Sequence, residues 1–238
     1  MDNTVGRLQF SFQPHQFDVI VGSLLGDARL ECRSIGKRHP ITARLRIQQS
    51  EKQREYVFWK YKILQSFVLR GPRRIMVWHD RERHKYHYSW YFHSKSMETL
   101  GSLQKAFYQG RIKVLPDNIF SLLTPQMLAV WFMDDGSYMG NGFTLNTHCF
   151  SQEEQRKIVR FLNTRFHAKA RIVPDRTKFK VFIPKASSKD FMRAIQPFVI
   201  KSMIYKTAIP VTTSLRKGRD TGVSPLYNTS VLNQAGVE

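Results

Sequence analysis

Apolar positions along the chain follow two rhythms, one near 3.6 residues and one of two, and both recur in the same order in each half. In "HQFDVIVGSLLGDARL", Phe17, Ile20, Val21 and Leu24 keep helical spacing and Pro14 fits the helix start, which predicts a helix ending at Asp27. Arg29, Glu31 and Arg33 then alternate with Leu30 and Cys32, and Thr42, Arg44, Arg46 and Gln48 alternate with Ala43, Leu45 and Ile47. Period two predicts a pair of strands joined by a loop containing Gly36 and Pro40. "EKQREYVFWKYKILQSFVL" predicts an amphipathic helix with the stripe Tyr56, Trp59, Ile63 and Phe67. A second strand pair follows in "RRIMVWHD" and "HKYHYSWYFH", and "SMETLGSLQKAFY" closes the unit as a helix capped by Ser94 or Ser96.

After a connection around "QGRIKVLPDN", the order restarts. "TPQMLAVWFMDDGS" predicts a helix with Thr124 as N-cap and Pro125 in the first turn, followed by strand and turn in "YMGNGFTLNTHCF". "SQEEQRKIVRFLNTRF" opens with a capping box from Ser151 and Glu154. "AKARIVPD" and "KFKVFIPK" predict a hairpin, and "SSKDFMRAIQPFV" a final helix. Asp27 and Asp135, which end the leading helices, stand 108 residues apart, a spacing too long for a solenoid repeat and suited to a duplicated α/β unit.

Charge narrows the class of partner. With 238 residues and 42% hydrophobic content the chain can bury a real core, yet its formal net charge is +20. Such an excess is self-repelling unless a polyanion relieves it, which points to nucleic acid before an anionic membrane. No apolar run has the length of a membrane span and the N-terminus shows no targeting signal, so the expected setting is intracellular, a bacterial cytoplasm or an organelle matrix. Cys32 and Cys149 are far apart with no CxxC, which excludes a zinc finger and predicts two buried or half-buried thiols.

Each half opens with an apolar helix ending in Asp before a small residue, Asp27–Ala28 and Asp135–Gly136. A carboxylate at the negative end of a helix is disfavoured by up to about 1 kcal/mol. Using that position twice implies a compensating cation, for which a hard divalent ion such as Mg²⁺ is suited. Gly22 and Gly26, four apart on one helix face, let a second helix approach closely and bring the two aspartates to one spot.

These two segments, "IVGSLLGDA" and "LAVWFMDDG", resemble the paired motifs of the LAGLIDADG homing endonucleases, in the single-chain form represented by the yeast mitochondrial omega-intron endonuclease. "LTP" before the second motif, "LNT" after it and "MIYK" near the end extend the likeness over about residues 15 to 210. Ala28 and Val130 depart from it, standing where the family usually has Gly. The resemblance implies that Asp27 and Asp135 bind Mg²⁺, with Mn²⁺ as a substitute, helped by the backbone carbonyls of Gly26 and Asp134. It also implies that Lys113 in "KVLP" and Lys206 in "MIYK" are active-site lysines.

The fold expected is α/β (α+β): two pseudo-symmetric domains, each a curved antiparallel sheet with helices, with the motif helices at their interface. The boundaries are residues 1–115 and 116–212, with a tail over 213–238. Strand faces supply the reading surface for double-stranded DNA, because Arg44, Arg46 and Gln48 point one way while Ala43, Leu45 and Ile47 enter the core. Arg29, Arg33, Lys85, His87, Asn146, His148, Lys178 and Lys180 are further DNA-binding candidates. His79, His84, His87 and His93 form no metal motif and read as strand-face or loop residues, and "GSYMGNG" lacks the Gly-Lys-Ser/Thr of a phosphate loop. The reading is a monomeric, site-specific double-strand DNA endonuclease with a long asymmetric target. An RNA-binding intron maturase on the same fold is the chief rival, with intron RNA as partner, and a nuclease-dead DNA-binding module is the third.

Overall fold

The structure, a computed structural model, describes residues 4–8, 11–32 and 41–207. Arg33, the loop that follows it and the tail lie outside these residues. After a short α1 (Thr4–Leu8), the first half runs α2 (Pro14–Leu25), β1 (Arg29–Glu31), β2 (Arg44–Ser50), α3 (Arg54–Leu64), β3 (Arg73–Asp80), β4 (Lys85–His93) and α4 (Glu98–Phe107). A ribbon of β5 (Tyr108–Gln109) and β6 (Ile112–Lys113) and a one-turn α5 (Ile119–Leu122) lead to the second half. That half repeats the order as α6 (Pro125–Asp135), β7 (Gly136–Tyr138), β8 (Gly142–Leu145), α7 (Gln152–Phe166), β9 (Arg171–Asp175), β10 (Lys178–Pro184) and α8 (Lys189–Ile195). A 3-10 segment, Lys201–Thr207, follows.

Each half holds one four-stranded antiparallel sheet, ordered β1-β2-β4-β3 and β7-β8-β10-β9. The shared order makes the halves two copies of one topology. In β2 the alternation works as expected: Leu45, Ile47 and Gln49 are buried, while Arg44, Arg46 and Gln48 lie on the other face. Cross-strand partners share a face, so the pairs Arg29–Arg46, Glu31–Arg44, Arg46–His93 and Gln48–Tyr91 assemble one polar surface.

Helix ends bear out most of the capping signals. Thr124 accepts from Met127 N, and Ser151 and Glu154 form the reciprocal capping box. Other expectations need correction. Helix α2 stops at Leu25 rather than Asp27, because Gly26 leaves helical geometry at φ −96°, ψ −132°. Neither Ser94 nor Ser96 caps α4, whose N-cap is Met97; Ser94 Oγ instead accepts from Leu45 N and donates to Lys95 O, tying the strands together. The buried stripe of α3 is Tyr56, Val57, Lys60 and Leu64, with Trp59, Ile63 and Phe67 half-buried at its margin. Cys32 is half-buried, but Cys149 is exposed.

The core is organised by the crossing of α2 and α6. Every residue of α6 from Met127 to Asp134 is buried. Close approach is possible because a methyl group at Gly22 would lie 2.6 Å from Met127 O and 2.7 Å from Val130 Cβ, and one at Gly26 would lie 2.5 Å from Asp134 Cβ. Val130, bulky where the sequence resemblance has Gly, therefore fits because its partner helix supplies Gly22. Tyr56 locks the crossing by donating its hydroxyl to Val130 O at 3.1 Å.

Gly22→Ala is expected to destabilise the protein by about 1–3 kcal/mol, the usual cost of overpacking a filled core. Urea denaturation measures this, and a variant as stable as the parent would show that the helices are free to separate.

Candidate active site

The crossing delivers two aspartates to adjoining helix ends. Asp27 is exposed just beyond α2, and Asp135 is the half-buried last residue of α6. At each end a lysine sits on the terminal carbonyls. Lys113 Nζ donates to Gly26 O at 2.8 Å and Ala28 O at 2.9 Å, and Lys206 Nζ donates to Met133 O at 2.6 Å and Asp134 O at 2.7 Å. Helix C-termini leave carbonyls without intrahelical partners and carry partial negative charge, so both ammonium groups answer the dipole that the aspartates aggravate. Burial lowers the pKa of both lysines, against the opposing pull of Asp27, Asp134 and Asp135. Burial, with Asp27 and Asp134 nearby, raises the Asp135 carboxyl well above its ordinary value.

Asp134 faces a basic neighbour. Its fully buried carboxylate pairs with the equally buried Lys60 at 2.7 and 3.0 Å. Gln49 Nε2 bridges the site, donating to Asp27 Oδ2 at 2.9 Å and to Asp134 Oδ1 at 3.0 Å. Lys60 also lies 4.3 Å from the centroid of Tyr56. Burial, with Asp27 close by, raises the Asp134 carboxyl, and Lys60 works against that rise. Neither Lys60 nor Gln49 is among the residues selected from sequence.

The network is asymmetric: the first half supplies Lys60 and Gln49, the second supplies Asp134, and the matching positions of the second half carry other residues. Lys60 precedes buried Leu64 by four residues; in the second half Ile158 precedes buried Leu162 by four. Gln49 follows buried Ile47 by two, and Thr147 follows buried Leu145 by two, its hydroxyl lacking a hydrogen-bond partner among the described residues.

Beside Asp27 a cavity of about 360 Å³ is lined by Arg29, Arg46, Gln48, Gln49, Ser50 and Ser89. On this face of the first sheet Glu31 gathers the arginines. It accepts from Arg44 at 2.7 and 2.9 Å, from Arg29 at 3.0 and 3.2 Å and from Arg46 at 3.3 Å. Burial works to raise the Glu31 carboxyl, but Arg44, Arg29 and Arg46 overcome it and hold it at about 2. On the second sheet, Asp175 meets His148 at 2.9 Å and Lys180 at 3.2 Å. Asn146 is half-buried, with its backbone N–H on Asp135 O at 3.0 Å. Lys85 and Lys178 are exposed at hairpin ends, and His87 lies against Trp78 with ring centroids 4.9 Å apart. Thus the structure sets both lysines on the helix ends that carry the aspartates, and it places Arg29, Arg46 and Gln48 beside Asp27 and Asn146 beside Asp135.

Fold and site together define a LAGLIDADG protein. Residues 17–191 match the LAGLIDADG DNA endonuclease family, and the chain belongs to it. It is 30% identical over 215 residues to the DNA endonuclease I-ChuI of Chlamydomonas applanata, covering 83% of this chain and 96% of that protein. It is also 26% identical over 216 residues to the cytochrome b mRNA maturase bI2 of Saccharomyces cerevisiae, covering 87% of this chain but only 49% of the relative, about half its length. Among solved structures, the homing endonuclease I-WcaI bound to its DNA recognition sequence superposes with a TM-score of 0.74 at 20% identity, covering 88% of this chain and 94% of that one. At that identity the likeness establishes the two-sheet fold. Among the described residues no helix is long and apolar enough to cross a membrane.

Lys60→Met is expected to cost about 3–5 kcal/mol, because it leaves a buried carboxylate without its cation. The double variant Lys60→Met/Asp134→Leu removes both charges and should regain most of that loss in chemical denaturation; no regain would mean that Lys60 acts through packing alone. A second expectation concerns pH. Since the folded Glu31 carboxyl is depressed, its stabilising contribution is complete above its ordinary 4.5 and is lost as pH falls through about 2. Carboxyl NMR should place its midpoint near the lower value, and a midpoint above 4 would contradict the arginine cluster.

Proposed function

We propose that this chain is a monomeric, site-specific double-strand DNA endonuclease that hydrolyses phosphodiester bonds at a long asymmetric target. The observation that carries this reading is the pairing of Asp27 and Asp135 at crossed helix ends, each end topped by a lysine. The halves implied are residues 1–115 and 116–212, and one chain supplies both aspartates, so a second copy is redundant. The compartment we infer is a bacterial cytoplasm or an organelle matrix.

The donor set fits a hard divalent ion. Asp27 and Asp135 offer carboxylate oxygens, and the carbonyls of Gly26 and Asp134, which accept from Lys113 and Lys206, each keep a second lone pair for such an ion. Bound Mg²⁺, or Mn²⁺ in its place, supplies Lewis acidity and an acidified water for phosphodiester hydrolysis. Asp27 and Asp135 hold that charge at the strand to be cut. Lys113 and Lys206, assigned here by likeness to the omega-intron type of enzyme, place ammonium groups where negative charge develops on the phosphate. Arg29, Arg44, Arg46, Gln48, Lys85 and His87 on the first sheet, and Asn146, His148, Lys178 and Lys180 on the second, contact bases and phosphates; Arg33 completes the set.

The similarity to a cytochrome b mRNA maturase supports a second reading, an intron-RNA-binding maturase on the same fold with cleavage secondary or lost. Intact aspartates in both motifs favour the nuclease. Selection of cut molecules from a randomised duplex library in Mg²⁺ decides between them, since a protein that never cuts but promotes intron splicing is the maturase.

Asp27→Asn and Asp135→Asn are each expected to abolish cutting or reduce it by orders of magnitude while DNA binding survives, because Asn keeps the volume and loses the charge. Lys113→Ala and Lys206→Ala should slow single-turnover cleavage more than they weaken binding. Full activity in Asp135→Asn would remove the metal site from the mechanism.

A further inference from the structure

The reading face of the first sheet contains an acidic residue that duplex binding alone would not call for. Glu31 sits among Arg29, Arg44, Arg46 and His93, opposite Arg44 in the ladder, on the face assigned above to DNA. A carboxylate there repels every phosphate that approaches and lowers affinity for any duplex. It is also well fitted to its neighbours. Arg44 engages it through Nε and Nη2, as does Arg29, and Arg46 reaches it with Nη1 while its Nη2 donates to Gln48 Oε1 at 2.6 Å. Arg46 also lies 5.4 Å from the Tyr91 ring centroid, which fixes its plane.

We propose that Glu31 is a specificity-determining residue, which aims the guanidinium groups of Arg29, Arg44 and Arg46 at base edges and disfavours indiscriminate phosphate binding at this face. The proposal rests on the DNA-reading function argued above and adds to it an acidic member. Free arginine side chains sample many rotamers, so three of them on one face would settle on whichever phosphates came near. Held by one carboxylate, they keep their remaining N–H groups in set directions. The edge of guanine can accept from such donors through O6 and N7 without the charge repulsion a phosphate meets. Affinity is given up for discrimination, as in interfaces that penalise the wrong partner. The second sheet shows the same construction on a smaller scale, where Asp175 holds His148 and Lys180.

The test compares Glu31→Gln with Glu153→Gln, which makes the same charge change on the helix α7, outside the strands of both sheets, at a side chain 78% exposed. Binding is measured, with EDTA present to prevent cutting, to a duplex selected from a random library and to its scrambled counterpart across a salt series. Glu31→Gln should bind the scrambled duplex on the order of tenfold more tightly, with a salt slope steeper by about one, as a released arginine takes up a phosphate. Its preference for the selected duplex should fall on the order of tenfold. Glu153→Gln should keep the parent preference. Glu31→Asp retains the charge but shortens the reach, and should keep the parent salt slope while losing preference. An unchanged preference in both Glu31 variants, or an equal fall in Glu153→Gln, overturns the assignment while leaving the endonuclease reading intact. A parent that prefers no duplex sequence at all would instead remove the DNA-reading function, and this proposal with it.

Discussion

Everything at the centre of this molecule follows from how near α2 comes to α6. Gly22 and Gly26 have no side chain to keep the helices apart, and the space they leave is taken by Val130 and Asp134 of the partner helix. Only at that separation do Asp27 and Asp135 influence one another and does Gln49 reach Asp27 and Asp134 together. The close approach also creates a problem. It buries the Asp134 carboxylate, which Lys60 must enter the core to neutralise.

Charge at the centre is consequently arranged as three carboxylates against three ammonium groups. Asp27, Asp134 and Asp135 cluster at the negative ends of two helices; Lys60 meets a side chain, whereas Lys113 and Lys206 meet backbone carbonyls. Lys60 and Asp134 face each other in the interior, while Asp27 is exposed and Asp135 half-buried.

Much of this was legible in the sequence because its physical cause is local. Period-two alternation located the polar face of β2, hydroxyl residues at Thr124 and Ser151 marked helix starts, and Gly22 and Gly26 signalled the close helix approach that brings Asp27 near Asp135. What stayed hidden depends on distant partners. Lys60 in "FWKYKIL" looks like a solvated lysine beside Lys62, since nothing within its own helix reveals that Asp134 lies opposite. Helical spacing placed the stripe on Tyr56, Trp59, Ile63 and Phe67; Tyr56 is buried as expected, but Val57, Lys60 and Leu64 complete the inward face in place of the other three. Gln49 continues an alternation of core residues, where a polar side chain reads as an edge effect until Asp27 is brought above it. Glu31 was noted only as one beat of a strand, because its arginine partners come from register across β1 and β2.

The buried Lys60–Asp134 pair makes the two halves non-interchangeable. Two copies of the first half could set Gly22 against Gly22 and Gly26 against Gly26, but each would bury a Lys60 with no acid to meet it. Two copies of the second half would press Val130 on Val130 and Asp134 on Asp134, with Ile158 where the cation is needed. A symmetric dimer built from either piece would thus carry uncompensated charge at its own seam. The acid of the buried pair lies in one half and its base in the other, so neither half alone can neutralise the seam.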